Sequence, residues 1–563
     1  MLQLGIGNEY ASQLFANPKK IGYRETDVTV YRRMLDNNAD RLDETALIYA
    51  DKAMSYRTIL RQADHVADVL TSLGIRKNDM ILLAGEGCAQ TVSIMLACSK
   101  IGVGIMMLRD KTPEESFNMT VSTIDLPLMF CEAGEYVKYA AMDGTAELSR
   151  VVILPGGVAI GEEETTSGGI SKSSSNVILW KDFLHIPVTE EGEEVLGGNY
   201  PLTICSTTGS TGIPKGIVMP NSSFIALERK IQMNDMSWNV GDRLIDLVPP
   251  YIASGTSLVL LVPLLLGMTV ILEPNRLDMA LSLGEVSKYR VDHLLLTKSP
   301  WIIMAEVFRD PIWDLSSVKG AYTVGEPISE TEYEKINAYL QDHGATGRLL
   351  NYYGLSESNS ILTCATQDST SSVGRALIGD TIAIFDTENQ QEKKLGEIGE
   401  LYFRTPSMMK EYLYNPKATR EFFIRDNEGN RWARTGDLAS INEKGEITVY
   451  GRMKEKFVDE SGAVLFPYMI ERIIGDEENI YRLKMIATKR DGKPCVALHI
   501  VPKSQPDDPQ AYADKLYAML LSDGSLSVLP KRIKLRPEFP MNDGGKVDMI
   551  SMAAEDEGFF EYE

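Results

Sequence analysis

Between Asp292 and Gly354 short apolar runs alternate with one long amphipathic run: DHLLL, VKGAYTV and GRLLNYY read as strands, and SETEYEKINAYLQDHG reads as a helix that stops at glycine. Such alternation restricts the chain to an open α/β architecture, because parallel strands need helical crossovers. Residues 45 to 110 repeat the theme, with strands in TALIYAD and MILLAG and helices in SYRTILRQADHVADVLTSLG and QTVSIMLACSKIG. Ligands of open α/β sheets sit beyond the carboxyl ends of the strands, which singles out the turns Gly325-Glu326-Pro327 and Gly354 to Glu357. From 380 to 450 short strands and turns dominate (TIAIFD, GELYFR, GEITVYG), predicting a β-rich lobe, and the last 110 residues mix strands with the helix QAYADKLYAMLLS as a small α+β domain would. The segment Gly161 to Asn176 lacks apolar periodicity and reads as a solvated loop.

Charge excludes one class of partner. The chain of 563 residues carries 57 Lys and Arg against 79 Asp and Glu, a net charge of −22, whereas general binding to nucleic acid draws on clustered cations. The six cysteines (Cys88, Cys98, Cys131, Cys205, Cys364, Cys495) are widely separated and read as reduced thiols of a cytosolic protein. The longest apolar stretch, Ser257 to Leu272, contains Pro263 and Gly267 and is shorter than a membrane span; it predicts a buried helix running into a strand. The N-terminal residues have no secretory pattern, so a cytoplasmic protein with no membrane partner is expected.

Chemistry concentrates in Ser206-Thr-Thr-Gly-Ser-Thr-Gly-Ile-Pro-Lys-Gly216, which gathers five hydroxyls, three glycines and a lysine behind the apolar PLTIC. Glycines let backbone N–H groups face an anion, hydroxyls add donors, and lysine adds charge, as a polyphosphate cradle requires. It is not the P-loop pattern G-x-x-x-x-G-K followed by Ser or Thr, since Gly216 follows Lys215. A loop of this composition with no ligand is the plain alternative.

Five ordered motifs extend this reading. The loop from Thr207 to Gly216 is joined by Asn351-Tyr352-Tyr353-Gly354-Leu355-Ser356-Glu357, by Trp432-Ala-Arg-Thr-Gly-Asp437-Leu, by Gly451-Arg452-Met-Lys454, and by Phe539-Pro-Met-Asn-Asp-Gly-Gly545-Lys546-Val-Asp548. From about Tyr31 to Asp548 the chain resembles the adenylate-forming (ANL) superfamily of acyl-CoA synthetases, aryl-acid ligases and stand-alone adenylation domains. The resemblance implies a large N-terminal α/β domain with stacked sheets and a β-rich lobe (1–451), a hinge (452–455) and a small mobile C-terminal α+β domain (456–563) carrying the catalytic lysine.

The resemblance also implies a reaction. A carboxylic acid attacks the α-phosphate of ATP, giving acyl-AMP and pyrophosphate, and the acyl group then passes to a thiol of CoA or of carrier-protein phosphopantetheine. Thr207, Thr208, Gly209, Ser210, Thr211, Gly212 and Lys215 would hold phosphate, Ser356 would bind phosphate, and Glu357 would hold Mg²⁺, a hard cation suited to carboxylate. Asp437 would accept from the ribose hydroxyls, Arg452 would sit near ribose and phosphate, and Asn351, Tyr352, Tyr353, Gly325, Glu326 and Pro327 would frame adenine. Lys546 would lie between carboxylate and α-phosphate, and Lys454 would be the hinge. Each has an ordinary rival: Asp437 as a turn residue, Tyr353 as packing, Lys546 and Lys454 as solvated lysines. KEKFVDESG, Lys454 to Gly462, is one residue longer and more acidic than the family's pattern, which leaves the acceptor open.

In LVPPYIASG, Ile252 stands where amino-acid-activating relatives carry Asp, so an ammonium would lack a counter-charge and an α-amino acid is disfavoured. Tyr251, Ile252, Ser254, Ser299, Thr323 and Val324 are the expected walls for a fatty, aryl or other uncharged acid. Other readings are a stand-alone protein loading an amino or β-amino acid onto a separate carrier, and a noncatalytic nucleotide-binding regulator. Ser525 in DGSL faintly resembles a phosphopantetheine attachment site but lies inside the small domain, and His293 reads as a satisfied histidine at a strand start.

Overall fold

The computed structural model describes residues 27–109, 112–156, 176–189, 194–207, 215–234, 236–273, 275–276, 278–326, 328–365, 372–475, 477–490, 492–540 and 547–562. The chain forms two compact units, one of Met1–Ala383, Tyr402–Ala433 and Glu443–Ile447, the other of Ile384–Leu401, Arg434–Asn442 and Thr448–Glu563.

The first unit holds two large sheets. One has nine strands in the order Arg375–Ala376, Thr363–Cys364, Leu349–Tyr353, Gly320–Val324, His293–Leu296, Arg243–Asp246, Thr269–Leu272, Thr45–Tyr49, Lys52–Ser55. Its centre is parallel and its edges antiparallel, as crossover helices and terminal hairpins dictate. The other has eight, in the order Glu411–Tyr412, Lys215–Pro220, Pro201–Thr207, Gly104–Leu108, Met80–Ala84, Met129–Glu132, Val151–Leu154, Val177–Leu179. The expected helices lie at Tyr56–Ser72, capped by the Ser55 side chain, and at Ala89–Ile101, closed by left-handed Gly102. Helix Glu330–Asp342 opens with a capping box in which Ser329 and Glu332 satisfy each other's backbone N–H groups. Helix Ala89–Ile101 is buried from Ala89 through Ser99, so it is an interior helix, and it carries the polar Gln90, Thr91, Ser93 and Ser99 inside with it.

The apolar stretch from 257 to 272 is buried helix followed by strand: a π-helical run Gly255–Leu261, a helical turn Val262–Leu265 and strand Thr269–Leu272. Among the described residues no helix is long and apolar enough to cross a membrane. The expected loop at 161–176 falls outside the described residues except for Asn176. The β-rich stretch contributes the strands Thr381–Phe385, Gly399–Arg404, Phe423–Arg425, Arg431–Ile441 and Ile447–Arg452.

The second unit has a four-stranded sheet, Ile480–Arg490, Lys493–Pro502, Arg532–Leu535 and Phe560–Glu561, whose core packs against helices Pro467–Ile474 and Pro509–Asp523. Ser525 lies on its surface, donating to Asp523 and accepting from Arg472 at 2.6 Å, a turn residue with local partners.

Candidate active site

In the first unit the expected phosphate loop is the connection of a hairpin. Strand Pro201–Thr207 runs antiparallel to Lys215–Pro220, with Thr207 opposite Lys215 and Ser206 opposite Gly216. Thr208, Gly209, Ser210, Thr211 and Gly212 lie outside the described residues.

Glu357 follows the strand Leu349–Tyr353, in the short turn Ser356–Ser358. Gly354 is required before it, because a Cβ there would fall 2.0 Å from the Ser360 carbonyl oxygen. Tyr412, which the motif reading passed over, joins the two motifs: its hydroxyl donates to Glu357 Oε1 at 2.7 Å, and its ring lies 5.0 Å beneath the Lys215 ammonium. Residues Glu411–Tyr412 pair with the strand that begins at Lys215, and the Met409 N–H donates to the Glu357 carbonyl at 2.8 Å. The only signal in the sequence is the local stretch KEYLYNPKAT around Tyr412, which gives no contact partner.

Beneath this pair lies a buried cation. Lys230 and Asp380, each fully buried, approach to 2.6 Å. The Lys230 ammonium also donates to the Ile361 carbonyl at 2.9 Å, Ser407 Oγ at 3.2 Å and Thr405 Oγ1 at 3.3 Å, and Ser407 donates to the Ser358 carbonyl at 2.9 Å. Burial pushes the Asp380 carboxyl up to about 6 and the Lys230 ammonium downward, against their mutual attraction. Helix Asn221–Met233, the Glu357 turn and the 405–409 segment are thereby fastened at one point.

Two consecutive residues after the turn, Asn359 (φ 58°) and Ser360 (φ 89°), take left-handed backbone. That conformation is strained for a side chain, and asparagine tolerates it best after glycine. Asn359 is 1% exposed and its Nδ2 has no hydrogen-bond partner among the described residues. It lines a small cleft with Ser356, Ala253, Thr203, Cys205 and Ile217. Ser360 Oγ is 2.7 Å from Ser257 Oγ.

Parallel pairing of Gly320–Val324 with Leu349–Tyr353, Val324 opposite Tyr352 and Thr323 opposite Asn351, sets the Gly325-Glu326 turn beside Tyr353-Gly354 at the carboxyl edge. Gly325 has φ 86°, open to glycine; Pro327 lies outside the described residues. Asn351 and Tyr352 are buried, Tyr353 is half-buried, and Glu326 is exposed. Val324 and Ile252 pack in one cluster with Tyr322 and Tyr352, and Tyr251 and Ser254 are half-buried in the same loop. Thr323 does not join them. Successive strand residues face opposite sides, so Thr323 shares the face of Ala321, whose core contains Trp301 and Tyr333. Ser299 is exposed in the first turn of helix Lys298–Val307.

That carboxyl edge is tied across the two sheets by Arg276. Its guanidinium pairs with Asp246, at the end of one strand, and reaches Glu86 of the other sheet's loop at 3.2 Å. Nearby Glu132 accepts from the Gly87 N–H at 2.9 Å, and burial raises its carboxyl pKa. At the opposite edge His293 is a satisfied strand-start residue, with Nε2 2.9 Å from Asp242 and Nδ1 3.1 Å from the Tyr322 hydroxyl.

In the second unit Arg452 and Asp437 come together, Nε to Oδ1 at 2.9 Å, with a further Arg452 bond to the Thr435 carbonyl at 3.1 Å. Asp437 is buried, and its N–H donates to Thr435 Oγ1 at 2.9 Å. Lys454 is exposed in the turn Met453–Glu455. The acidic segment after it builds a hairpin: Asp459 accepts from the N–H groups of Ser461 and Ala463, both at 2.9 Å, between Phe457–Val458 and Val464–Leu465. Lys546 lies outside the described residues.

Among the described residues there is no group of three or more metal-ligating side chains. A single carboxylate such as Glu357 fits Mg²⁺, which takes one or two carboxylates and completes its shell with phosphate and water.

The α/β fold is shared with solved ligases. ATP-bound MatB from Rhodopseudomonas palustris superposes with a TM-score of 0.78 at 19% identity, covering 94% of this chain and 98% of that one. The class, an acid-activating, AMP-forming ligase, rests on the family profile and on relatives named as CoA ligases. The chain belongs to the AMP-binding enzyme family, whose profile matches residues 35–413. It is similar to the acyl-CoA ligase SID4 of Ajellomyces capsulatus (23% identical over 445 residues, 77% of this chain and 73% of the relative). It is also similar to the indoleacetate–CoA ligase of Aromatoleum aromaticum (22% over 514 residues, 90% and 93%).

Proposed function

We infer that the protein condenses a carboxylic acid with ATP, forming the acyl–phosphate bond at the α-phosphorus as the bond to pyrophosphate breaks, and then passes the acyl group to a thiol, which loses its proton as the acyl–phosphate bond breaks and AMP departs. The observation that carries this reading is the Tyr412 bridge between Lys215 and Glu357, which brings a cation from the phosphate-loop hairpin to the carboxylate of a second motif. In-line transfer spreads negative charge over phosphate oxygens, and a fixed lysine with N–H and hydroxyl donors stabilises it. Bound at Glu357, Mg²⁺ would neutralise phosphate charge. Lys215, Ser356 and the loop from Thr207 to Gly212 would orient the triphosphate, Asp437 and Arg452 would take the ribose, and the turns at Gly325 and Tyr353 would frame adenine. Lys546 would hold the carboxylate against the α-phosphate, with Lys454 as the pivot. The relatives named as CoA ligases support a thiol acceptor, either CoA or the phosphopantetheine of a separate carrier.

The test is acid-dependent pyrophosphate release with Mg·ATP, with hydroxylamine added to trap slow-leaving adenylates. Release that depends on acid, and that Lys546→Ala abolishes while ATP still binds, supports the reading. ATP binding with silence across fatty, aryl, α-amino and β-amino acids would instead point to a nucleotide-binding regulator.

A further inference from the structure

The expected acyl walls Ile252 and Val324 pack into a cluster rich in rings. Ile252 and Val324 belong to one packed cluster with Trp238, Tyr322 and Tyr352, whose exposures are 8%, 1% and 2%. Tyr322 stacks on Tyr352 with centroids 5.2 Å apart, and Trp238 meets the edge of Tyr322 at 5.9 Å.

Two of these rings, Trp238 and Tyr322, are pinned as well as packed. Trp238 Nε1 donates to the Tyr322 hydroxyl at 2.9 Å, and the same hydroxyl is 3.1 Å from His293 Nδ1, whose other nitrogen is held by Asp242. Gly320 makes room for this arrangement: a Cβ there would lie 2.2 Å from the Tyr322 hydroxyl and 2.3 Å from His293 Nδ1. Swinging Tyr322 aside would break a buried hydrogen-bond network, and displacing Tyr352 would unstack it. The other face of the same strand offers no detour, since Trp301 is fully buried there and donates to the Tyr322 carbonyl at 3.0 Å.

We propose that the acid activated by this enzyme is a short one, of about two to four carbons, because fixed aromatic side chains close the acyl pocket directly behind Ile252 and Val324. The inference rests on the adenylating function proposed above and names its substrate class. It departs from the fatty or aryl acid that uncharged walls alone suggested, because wall polarity says nothing of depth.

The experiment is acid-dependent pyrophosphate release by the full chain with Mg·ATP and hydroxylamine, over acetate, propionate, butyrate, hexanoate, octanoate and benzoate. The expected result is a maximum at butyrate or shorter, with kcat/KM falling on the order of tenfold for each extension beyond it. Higher kcat/KM with octanoate or benzoate overturns the proposal while leaving the adenylating function standing; silence with every acid of this series overturns the proposal, and silence that extends to α-amino and β-amino acids, ATP binding intact, overturns the adenylating function as well. Tyr352→Val should move the optimum toward hexanoate and Tyr352→Phe should leave it in place. An unmoved optimum in a folded Tyr352→Val protein also overturns the proposal, and the series on the unmodified chain decides it if that variant does not fold.

Discussion

The Tyr412 hydroxyl donates to the Glu357 carboxylate at 2.7 Å, across 55 positions of sequence. A hydrogen bond to a charged group is worth about 1.5 to 3 kcal/mol, so Tyr412→Phe is expected to lower kcat/KM for adenylation by about tenfold or more. The ring stays beneath Lys215, so the phenylalanine variant should lose no more stability than this one hydrogen bond supplies and should shift the half-saturating Mg²⁺ concentration. Titration of Mg²⁺ against pyrophosphate release reads this directly. An unchanged Mg²⁺ dependence would reduce Tyr412 to packing.

The elements at this site were largely visible in the sequence, and their partners were not. Strands at DHLLL, GAYTV and LLNYY and the glycine stop at Gly102 follow from periodicity and capping, which are local. Strand order is not local: Arg243–Asp246 lies between His293–Leu296 and Thr269–Leu272 because crossover helices return the chain past its own neighbours. Tyr412 meets Glu357 only because Glu411–Tyr412 adds to the edge strand beginning at Lys215. Thr323 shows the opposite failure: taking Thr323 and Val324 as joint walls overlooks alternation along a strand, which sends their side chains to different cores.

Lys230 and Asp380 form an ion pair with no solvent contact, so removing one partner strands a buried charge. Lys230→Met is expected to destabilise the first unit by about 3 to 5 kcal/mol, and the double variant Lys230→Met with Asp380→Leu to recover most of that loss, since an apolar pair of similar volume replaces a buried ion pair at little cost. Urea unfolding of the three proteins supplies the comparison. If the double variant is as unstable as Lys230→Met, the bonds to Ile361, Thr405 and Ser407 matter more than the pair itself.

Asp242 reports on acid stability. Burial alone would raise its carboxyl pKa, but hydrogen bonds from His293, Lys319 and the Asn239 N–H outweigh burial and bring it to about 2, below the usual 3.8. A depressed carboxylate stabilises the fold fully above the unfolded value, and that stabilisation is lost as pH falls from about 4 through about 2. Discounted for solvent at its outer edge, the contribution is about 1 to 2 kcal/mol at neutral pH. Asp242→Asn should therefore be less stable than the parent at neutral pH, and the gap should narrow as pH drops below about 4. A gap constant across that range, in thermal melts at matched ionic strength, would rule out the titration.

Asn359 offers a substitution that separates function from fold. Its amide Nδ2 is buried without a partner among the described residues, in the cleft shared with Ser356 and Ala253, and its backbone is left-handed. A buried donor left unpaired costs about 1 to 3 kcal/mol, a cost that a substrate oxygen placed there would remove. Glycine adopts the same backbone without strain, so Asn359→Gly deletes the donor and keeps the turn, whereas Asn359→Ala adds left-handed strain of about 1 kcal/mol. The glycine variant is expected to lose about tenfold in kcat/KM for the acid while KM for ATP holds nearly constant. Initial-rate kinetics with each substrate varied in turn provide the measurement. Parent-like kinetics would assign the Asn359 amide to an ordered water, because a donor satisfied by solvent can be deleted without touching the acid.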